Sequence, residues 1–160
     1  MATATIKAAF CVRPASGTDL GGVAAVAELA DEILASDFGP GALFPKLSSI
    51  PGIIAAIDRE RDDPDNFYIT LGTEGDVSQR VWPTDRETVP LRGGQSVAPD
   101  LEIEFDSFQN VSLWDFDTVS RDDLLGSITL SADESGQGEK AKLAKSDIEG
   151  SVYYIVYEVD

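Results

Sequence analysis

The stretch that decides the fold is residues 110–130, which reads Asn-Val-Ser-Leu-Trp-Asp-Phe-Asp-Thr-Val-Ser-Arg-Asp-Asp-Leu-Leu-Gly-Ser-Ile-Thr-Leu. Val111 and Leu113 alternate toward one face, which is the period of a strand. Residues 115–123 are polar and acidic, and extended apolar sequence resumes at residues 125–130. The stretch therefore predicts two strands joined by an acidic loop, which we call the aspartate arch (residues 115–123).

The aspartate arch carries three carboxylates at a fixed spacing. Asp115, Asp117 and Asp123 follow the pattern D-x-D-x5-D, with Ser120 between them and Gly126 closing the turn. Carboxylates two residues apart project to the same side of an extended strand end, and the returning loop brings a third beside them. Like charges held this close repel one another unless a cation lies among them. The spacing therefore predicts a cation site.

Calcium is the cation that best suits the arch. Ca²⁺ takes about 6–8 oxygen ligands at roughly 2.3–2.6 Å and tolerates irregular geometry. Mg²⁺ needs a tighter octahedron and keeps its waters, so a flexible loop with three carboxylates suits it less well. Soft metals are disfavoured because the sequence has no histidine, and its single cysteine, Cys11, is far from the arch in sequence.

Residues 114–126 resemble the third calcium-binding loop of the C2 domain, the module of synaptotagmins and protein kinase C. In that family an aromatic residue precedes D-x-D-x-x-S-x-x-D, two apolar residues and glycine, and the spacing here matches at every position. The resemblance implies an eight-stranded antiparallel β-sandwich with calcium-binding loops at one end. The ligands that it implies are Asp115, Asp117, Ser120 and Asp123. The apolar tip that it implies for membrane or partner contact is Val119, and Phe116 is the alternative contact.

A second part of the resemblance concerns the family's first calcium loop. That loop has an aspartate, about five residues and then Asp-Pro-Tyr before an alternating strand; here residues 63–71 are a looser counterpart. The resemblance implies Asp65 as a ligand. Asp58, Asp62 and Asp63 are alternatives for its partner, with Asp63 included in the predicted ligand set. The resemblance extends from residue 64 to residue 160 and does not cover residues 14–60.

The length and the strand patterns predict one mainly β domain, residues 1–160. With the resemblance, this implies an antiparallel C2-like β-sandwich with a two-helix insertion after the first strand. The first strand spans residues 5–13, and we expect it to bury Ile6, Ala8, Phe10 and Val12 on one face. Apolar residues spaced three and four apart predict helices within residues 19–61. Residues 64–160 supply the remainder of the sandwich.

The second half of the chain predicts mostly strands. We expect strands at residues 67–71, 77–82, 88–91, 101–105 and 151–159, a hairpin through 107–110, and one or two helical turns in 139–145. The last strand is apolar on both sides, with Tyr153, Ile155 and Tyr157 alternating with Val152, Tyr154 and Val156. A strand of this kind lies at the centre of a sheet and is covered on both faces.

Composition limits the classes of partner. With 29 acidic and 12 basic residues, the net charge of the 160-residue chain is −17, which disfavours nucleic acid and unaided docking on anionic lipid. The charge agrees with a divalent-cation binder, and equally with a highly soluble acidic surface. The sequence has neither an N-terminal signal pattern nor a membrane span. We expect a protein that is cytoplasmic, or exported without an N-terminal signal, and not integral to a membrane.

Catalysis is disfavoured by the residue types present. Serine, cysteine and zinc hydrolases need a histidine base or ligand, and the sequence has none. Asp115 and Asp117 have a separation compatible with glycoside hydrolysis, but clustered aspartates favour metal binding. We therefore predict a non-enzymatic calcium-binding module with a calcium-dependent phospholipid or protein partner. The alternative is a metal-independent β-sandwich interaction module in which the aspartates only cap the turn.

Overall fold

Two antiparallel sheets form a β-sandwich in the computed structural model, which describes residues 1–15, 64–118 and 121–160. The described part of the chain is mainly β, as the sequence predicts. The predicted helical insertion, residues 19–61, lies outside the described residues, as do the predicted site residues Asp63, Val119 and Ser120.

The first sheet is organised around the two ends of the described chain. Strand β1 (Ala2–Arg13) pairs with β9 (Val152–Val159), and β9 pairs in turn with the edge strand β8 (Lys140–Lys145). On its other side β1 pairs with two short strands, β4 (Ser96–Val97) and β5 (Leu101–Phe105). The prediction that the last strand is central in its sheet is therefore confirmed.

The second sheet carries the aspartate arch. Its strands lie in the order β3 (Val89–Leu91), β2 (Asp65–Thr70), β6 (Phe108–Asp115) and β7 (Asp123–Ser131). β6 and β7 are antiparallel neighbours joined by the arch. The prediction of a strand, an acidic loop and a second strand at residues 110–130 is confirmed.

The core lies between the two sheets and follows from strand alternation. Phe67, Leu113 and Leu125 from the second sheet face Tyr153 and Ile155 from the first, and all five are fully buried. Burying a side chain of this size contributes about 1.5–3 kcal/mol. The rings of Phe67 and Tyr153 stack with centroids 5.4 Å apart, which ties β2 directly to β9 across the sandwich.

The face of β1 that meets this core differs from the prediction. Ile6 is in the core, but a register shift against β9 between Ile6 and Ala8 changes the alternation. Ala9 and Cys11 therefore face the core, in place of Ala8, Phe10 and Val12. A one-residue slip turns every following side chain to the other face of the sheet, which explains the change.

The strand predicted at residues 77–82 is wrong. Val77–Gln79 form a single turn of 3₁₀ helix, and Trp82 makes only an isolated bridge to Ile69. The carboxylate of Asp76 accepts hydrogen bonds from the backbone N–H of Ser78 at 2.9 Å and from its hydroxyl at 2.7 Å. This N-cap favours a helical turn over extended backbone.

The helical turns predicted at residues 139–145 are also wrong, because Lys140–Lys145 form the edge strand β8. Lysine and alanine favour helix when isolated. Here the segment pairs residue by residue with β9, from Lys140 opposite Tyr157 to Lys145 opposite Val152. The predicted hairpin through residues 107–110 is wrong as well, since β5 joins the first sheet and β6 the second.

Among the strands and turns of the described ranges, no helix has the length and hydropathy needed to cross a membrane.

Candidate functional site

The aspartate arch begins and ends at a cross-strand pair of carboxylates. Asp115 is the last residue of β6 and lies opposite Asp123, the first residue of β7. On the other side of β6, Asp115 lies opposite Phe67 of β2. Antiparallel pairing thus brings Asp115 and Asp123 together at one end of the sandwich, and the chain between them carries Asp117.

Asp115 is anchored to the neighbouring strand. The backbone N–H of Asn66 donates a hydrogen bond to Asp115 Oδ1 at 2.6 Å. The N–H of Phe116 donates to the carbonyl of Asn66 at 2.9 Å, so β2 and the start of the arch are joined on both sides of Asn66. Phe116, a predicted contact at the loop tip, is half-buried. The first carboxylate of the arch therefore has a fixed position.

Asp122 is a member of the site that the sequence analysis missed. Its Oδ1 accepts a hydrogen bond from the backbone N–H of Asp117 at 3.1 Å, and its Oδ2 accepts one from the hydroxyl of Tyr68. Burial raises the pKa of Tyr68, and the hydrogen bond to Asp122 raises it further. The sequence does contain a signal for Asp122. Asp122 and Asp123 are neighbours at the start of a strand, and such neighbours project to opposite faces, so Asp122 is expected to bind different partners from Asp123.

The charges of the neighbouring carboxylates affect the pKa of Asp123. Burial raises the pKa of Asp123 above its ordinary value, and the charges of Asp117 and Asp122 raise it further. Burial also raises the pKa of Glu149, together with the charge of Asp123. Glu149 precedes β9 at the same end of the sandwich, and only the fold reveals this proximity. The arch is thus a region of mutual repulsion between carboxylates.

Asp65 is placed differently from the arch aspartates. It is 1% exposed, and each of its oxygens accepts a hydrogen bond. The hydroxyl of Tyr153 donates to Oδ2 at 2.5 Å, and the backbone N–H of Ala15 donates to Oδ1 at 2.9 Å. The nearby thiol of Cys11 has a raised pKa, chiefly because it is buried and also because of the charge on Asp65. Asp65 therefore connects β2 to β9 and to Ala15, two residues after the end of β1.

The donor atoms of the arch are of the type that a hard cation binds. Asp115, Asp117 and Asp123 offer carboxylate oxygens, the ligand type that calcium takes. Within residues 1–15, 64–118 and 121–160, no three acidic or cysteine side chains are arranged to hold a metal ion. The predicted ligands Asp63 and Ser120 lie outside those residues, so the metal site stays a prediction.

No protein-family model matches the sequence, and no curated protein matches it. Among solved structures, the chain is similar to the C2A domain of plant Extended Synaptotagmin 1, with 13% identity and a TM-score of 0.41 over 99% of this chain and 92% of that one. It is also similar to human GIVD cytosolic phospholipase A2 in complex with methyl gamma-linolenyl fluorophosphonate, with 12% identity and a TM-score of 0.41. That alignment covers 99% of this chain and 16% of the phospholipase. At this TM-score neither alignment assigns a role to any residue here. The antiparallel sandwich itself is consistent with a C2-like domain.

Proposed function

We propose that this β-sandwich is a non-enzymatic calcium-binding module and that the aspartate arch holds the ion. The observation that carries the proposal is the pairing of Asp115 opposite Asp123 at one end of the sandwich, which brings two carboxylates together beside Asp117. Burial and the charges of Asp117 and Asp122 raise the pKa of Asp123, which agrees with repulsion among these groups. A bound divalent cation replaces this repulsion with attraction. The proposed ligands in the arch are Asp115, Asp117, Ser120 and Asp123.

The residues of the chain have distinct tasks in this proposal. Asp115 supplies a carboxylate oriented by Asn66, and Asp117 follows two residues later on the same loop. Asp63 and Asp65 are the proposed ligands from the first loop. Asp65 reaches an ion only by sharing or exchanging its bonds to Tyr153 and Ala15. Bound calcium supplies positive charge at an otherwise acidic end of the molecule.

The test is the melting temperature of the chain in calcium and in chelator, for the native protein and for Asp117→Asn. A site filled at 100 times its Kd stabilises the fold by about 2.7 kcal/mol, which corresponds to a rise of several degrees at this size. We expect calcium to raise the melting temperature of the native chain and not that of the variant. Equal magnesium concentrations control for ionic strength.

The matched control is Asp106→Asn, which removes the same charge from an exposed position beyond the far end of β6. This variant should respond to calcium as the native chain does. If the native chain shows no calcium response, the metal proposal fails; if Asp106→Asn loses the response as well, the site is not in the arch.

We propose that the calcium-bound module binds a membrane or a protein partner and that Phe116 or Val119 makes the contact. Vesicles of phosphatidylserine and phosphatidylcholine should sediment the chain in calcium and release it in chelator. If calcium raises the melting temperature but the chain does not sediment with vesicles, membrane binding is rejected and a protein partner remains.

A metal-independent interaction module is the second candidate. It is favoured by the hydrogen bonds in which Asp115 and Asp122 accept backbone N–H groups, because such bonds shape a turn without any ion. In this case millimolar calcium leaves the melting temperature unchanged.

A further inference from the structure

Strand β5 has an open edge. It pairs with the start of β1, between Ala2 and Ile6, and none of the other described strands pairs with it. An open strand edge presents backbone N–H and C=O groups to which another extended chain can bind. The aspartate arch is at the opposite end of β1, where Ala15 bonds Asp65. The open edge of β5 is therefore separate from the proposed calcium site.

The hydrogen bonds of β1 identify which backbone groups of β5 are paired. Thr3 donates a backbone bond to Asp160 at 3.0 Å and accepts one from it at 2.8 Å, so its N–H and C=O groups point away from β5. The direction of these groups alternates from residue to residue along a strand. The N–H and C=O groups of Ala4 therefore point toward β5, where Ala4 lies opposite Ile103. Ile103 is thus bonded to β1.

Glu102 and Glu104, on either side of Ile103, turn their N–H and C=O groups to the open edge by the same alternation. Their side chains are exposed, whereas Ile103 is buried in the core. Within the described part of the chain, neither carboxylate pairs with a lysine or an arginine. The same two residues therefore supply open backbone groups and carboxylates without a cation.

These groups select the kind of chain that fits the edge. Side chains directly opposite each other in an antiparallel pair lie on the same face, so basic residues of an added strand would meet Glu102 and Glu104. The alternate residues of that strand would lie on the face of buried Ile103, which suits apolar side chains. A second copy of β5 does not fit, because the glutamates of the two copies would lie opposite each other and repel.

We propose that the open edge of β5 binds an extended basic peptide as an antiparallel strand, in which lysine or arginine alternates with apolar residues. The N–H and C=O groups of Glu102 and Glu104 bind the peptide backbone, and their carboxylates bind its basic side chains. This binding does not require calcium. The competing explanation is that the two charges only keep the edge from pairing with other chains.

Fluorescence anisotropy in chelator tests the pairing, with the full chain and a labelled peptide that alternates lysine and valine. Two N-methylated forms of this peptide keep its sequence and charge. Methyl groups on the lysine nitrogens block the edge that faces Glu102 and Glu104, whereas methyl groups on the valine nitrogens lie on the other edge. We expect the lysine-methylated form to bind at least about tenfold more weakly than the valine-methylated form. Equal or reversed affinities, or no binding of the unmodified peptide, would overturn the proposal.

Replacing both glutamates tests the role of charge. The double variant Glu102→Gln, Glu104→Gln should bind the unmodified peptide at least about threefold more weakly than the native chain. The control, Glu74→Gln with Glu87→Gln, removes the same charge at exposed positions outside β5 and should bind as the native chain does. An equal loss in both double variants would mean that the peptide responds only to the net charge of −17, which would overturn the site.

Amide hydrogen exchange locates the bound peptide. In the free chain, the amide of Ile103 should be protected by its bond to β1, and the amides of Glu102 and Glu104 should exchange rapidly. The unmodified peptide should slow exchange at Glu102 and Glu104 and leave that at Glu87 unchanged. Slow exchange at Glu102 and Glu104 in the free chain would show that the edge is already covered and would overturn the proposal.

Discussion

Asp122 and Asp123 are adjacent in sequence and differ in their surroundings. Asp122 accepts hydrogen bonds from the backbone of Asp117 and from the hydroxyl of Tyr68, which connect the arch to β2. Burial raises the pKa of Asp123, and so do the charges of Asp117 and Asp122. In the ion-free protein, the ionised form of Asp123 therefore opposes folding of the arch.

Asp123→Asn should raise the melting temperature in chelator at neutral pH. A carboxyl with a raised pKa in the folded state binds its proton more tightly there than in the unfolded state, so its ionisation destabilises the fold. The gain should be below about 1 kcal/mol, because Asp123 is only partly buried. It should be present above the raised pKa and vanish below the ordinary value of 3.8.

Melting curves between about pH 3 and pH 8 measure this difference, with Asp106→Asn as the control. A lower melting temperature for Asp123→Asn in chelator would show that its carboxylate supports the fold. In calcium we expect the order to reverse, because the variant lacks a proposed ligand.

The sequence predicted the arch residues better than it predicted their surroundings. The spacing of Asp115, Asp117 and Asp123 is local, and strand pairing brings the first and last together as expected. Glu149 was not predictable because it reaches the arch from a turn that comes more than twenty residues later. The inward position of Asp65 depends on Tyr153, which belongs to a strand of the other sheet.

At the level of elements, the contact between β7 and β8 closes one side of the sandwich. Gly126 in β7 has a φ of +145° and lies against the backbone of β8. A Cβ at this position would be 2.5 Å from the nitrogen of Lys145 and 2.6 Å from the carbonyl carbon of Ala144. The glycine thus permits two strands of different sheets to approach closely.

Gly126→Ala should destabilise the fold by about 3 kcal/mol or more, because backbone strain and a clash with a neighbouring strand act together. Gly136→Ala is the control: its φ is +70°, and nothing lies within 4 Å of the added Cβ. The control should lose about 1 kcal/mol from backbone strain alone. Urea denaturation measures both. Equal losses of unfolding free energy in the two variants would mean that the contact with β8 does not contribute to the effect of Gly126→Ala.

Two segments were predicted with the wrong secondary structure. In each, a contact outweighs the secondary structure that the local composition favours. Residues 140–145 have a helix-favouring composition, but the exposed edge of β9 holds them as a strand. Residues 77–82 contain strand-favouring valines and a tryptophan, yet the Asp76 cap forms a helical turn. By contrast, β5 alternates cleanly between buried Ile103 and Phe105 and exposed glutamates, and the strand forms as predicted.

For the whole molecule, the net charge of −17 is the dominant electrostatic fact. Self-repulsion of this size opposes the compact state, and dissolved salt screens it with a Debye length of about 10 Å at 0.1 M. Alternation predicted the individual strands and the resemblance to the C2 domain implied the sandwich, but neither predicted the division of strands between sheets. β5 and β6 are consecutive in sequence and join different sheets, which hydrophobic period alone does not specify.

Sodium chloride added in chelator should therefore raise the melting temperature by several degrees between low and moderate ionic strength. Choline chloride at matched ionic strength should act alike, because screening depends on charge and concentration. A fall in the melting temperature with salt would mean that ion pairs such as Lys142–Glu134, at 2.9 Å, outweigh the repulsion.

The pairing of β1 with β9 has a consequence for how the protein is made. Ala4 at the start of the first strand lies opposite Val159 at the end of the last. During synthesis, β1 leaves the ribosome long before its partner exists, and the central ladder of the first sheet forms only after β9 has emerged. Folding of the sandwich therefore waits for β9 and, because its contacts are so distant in sequence, is slow. Until then the apolar residues of β1 remain open to chaperones.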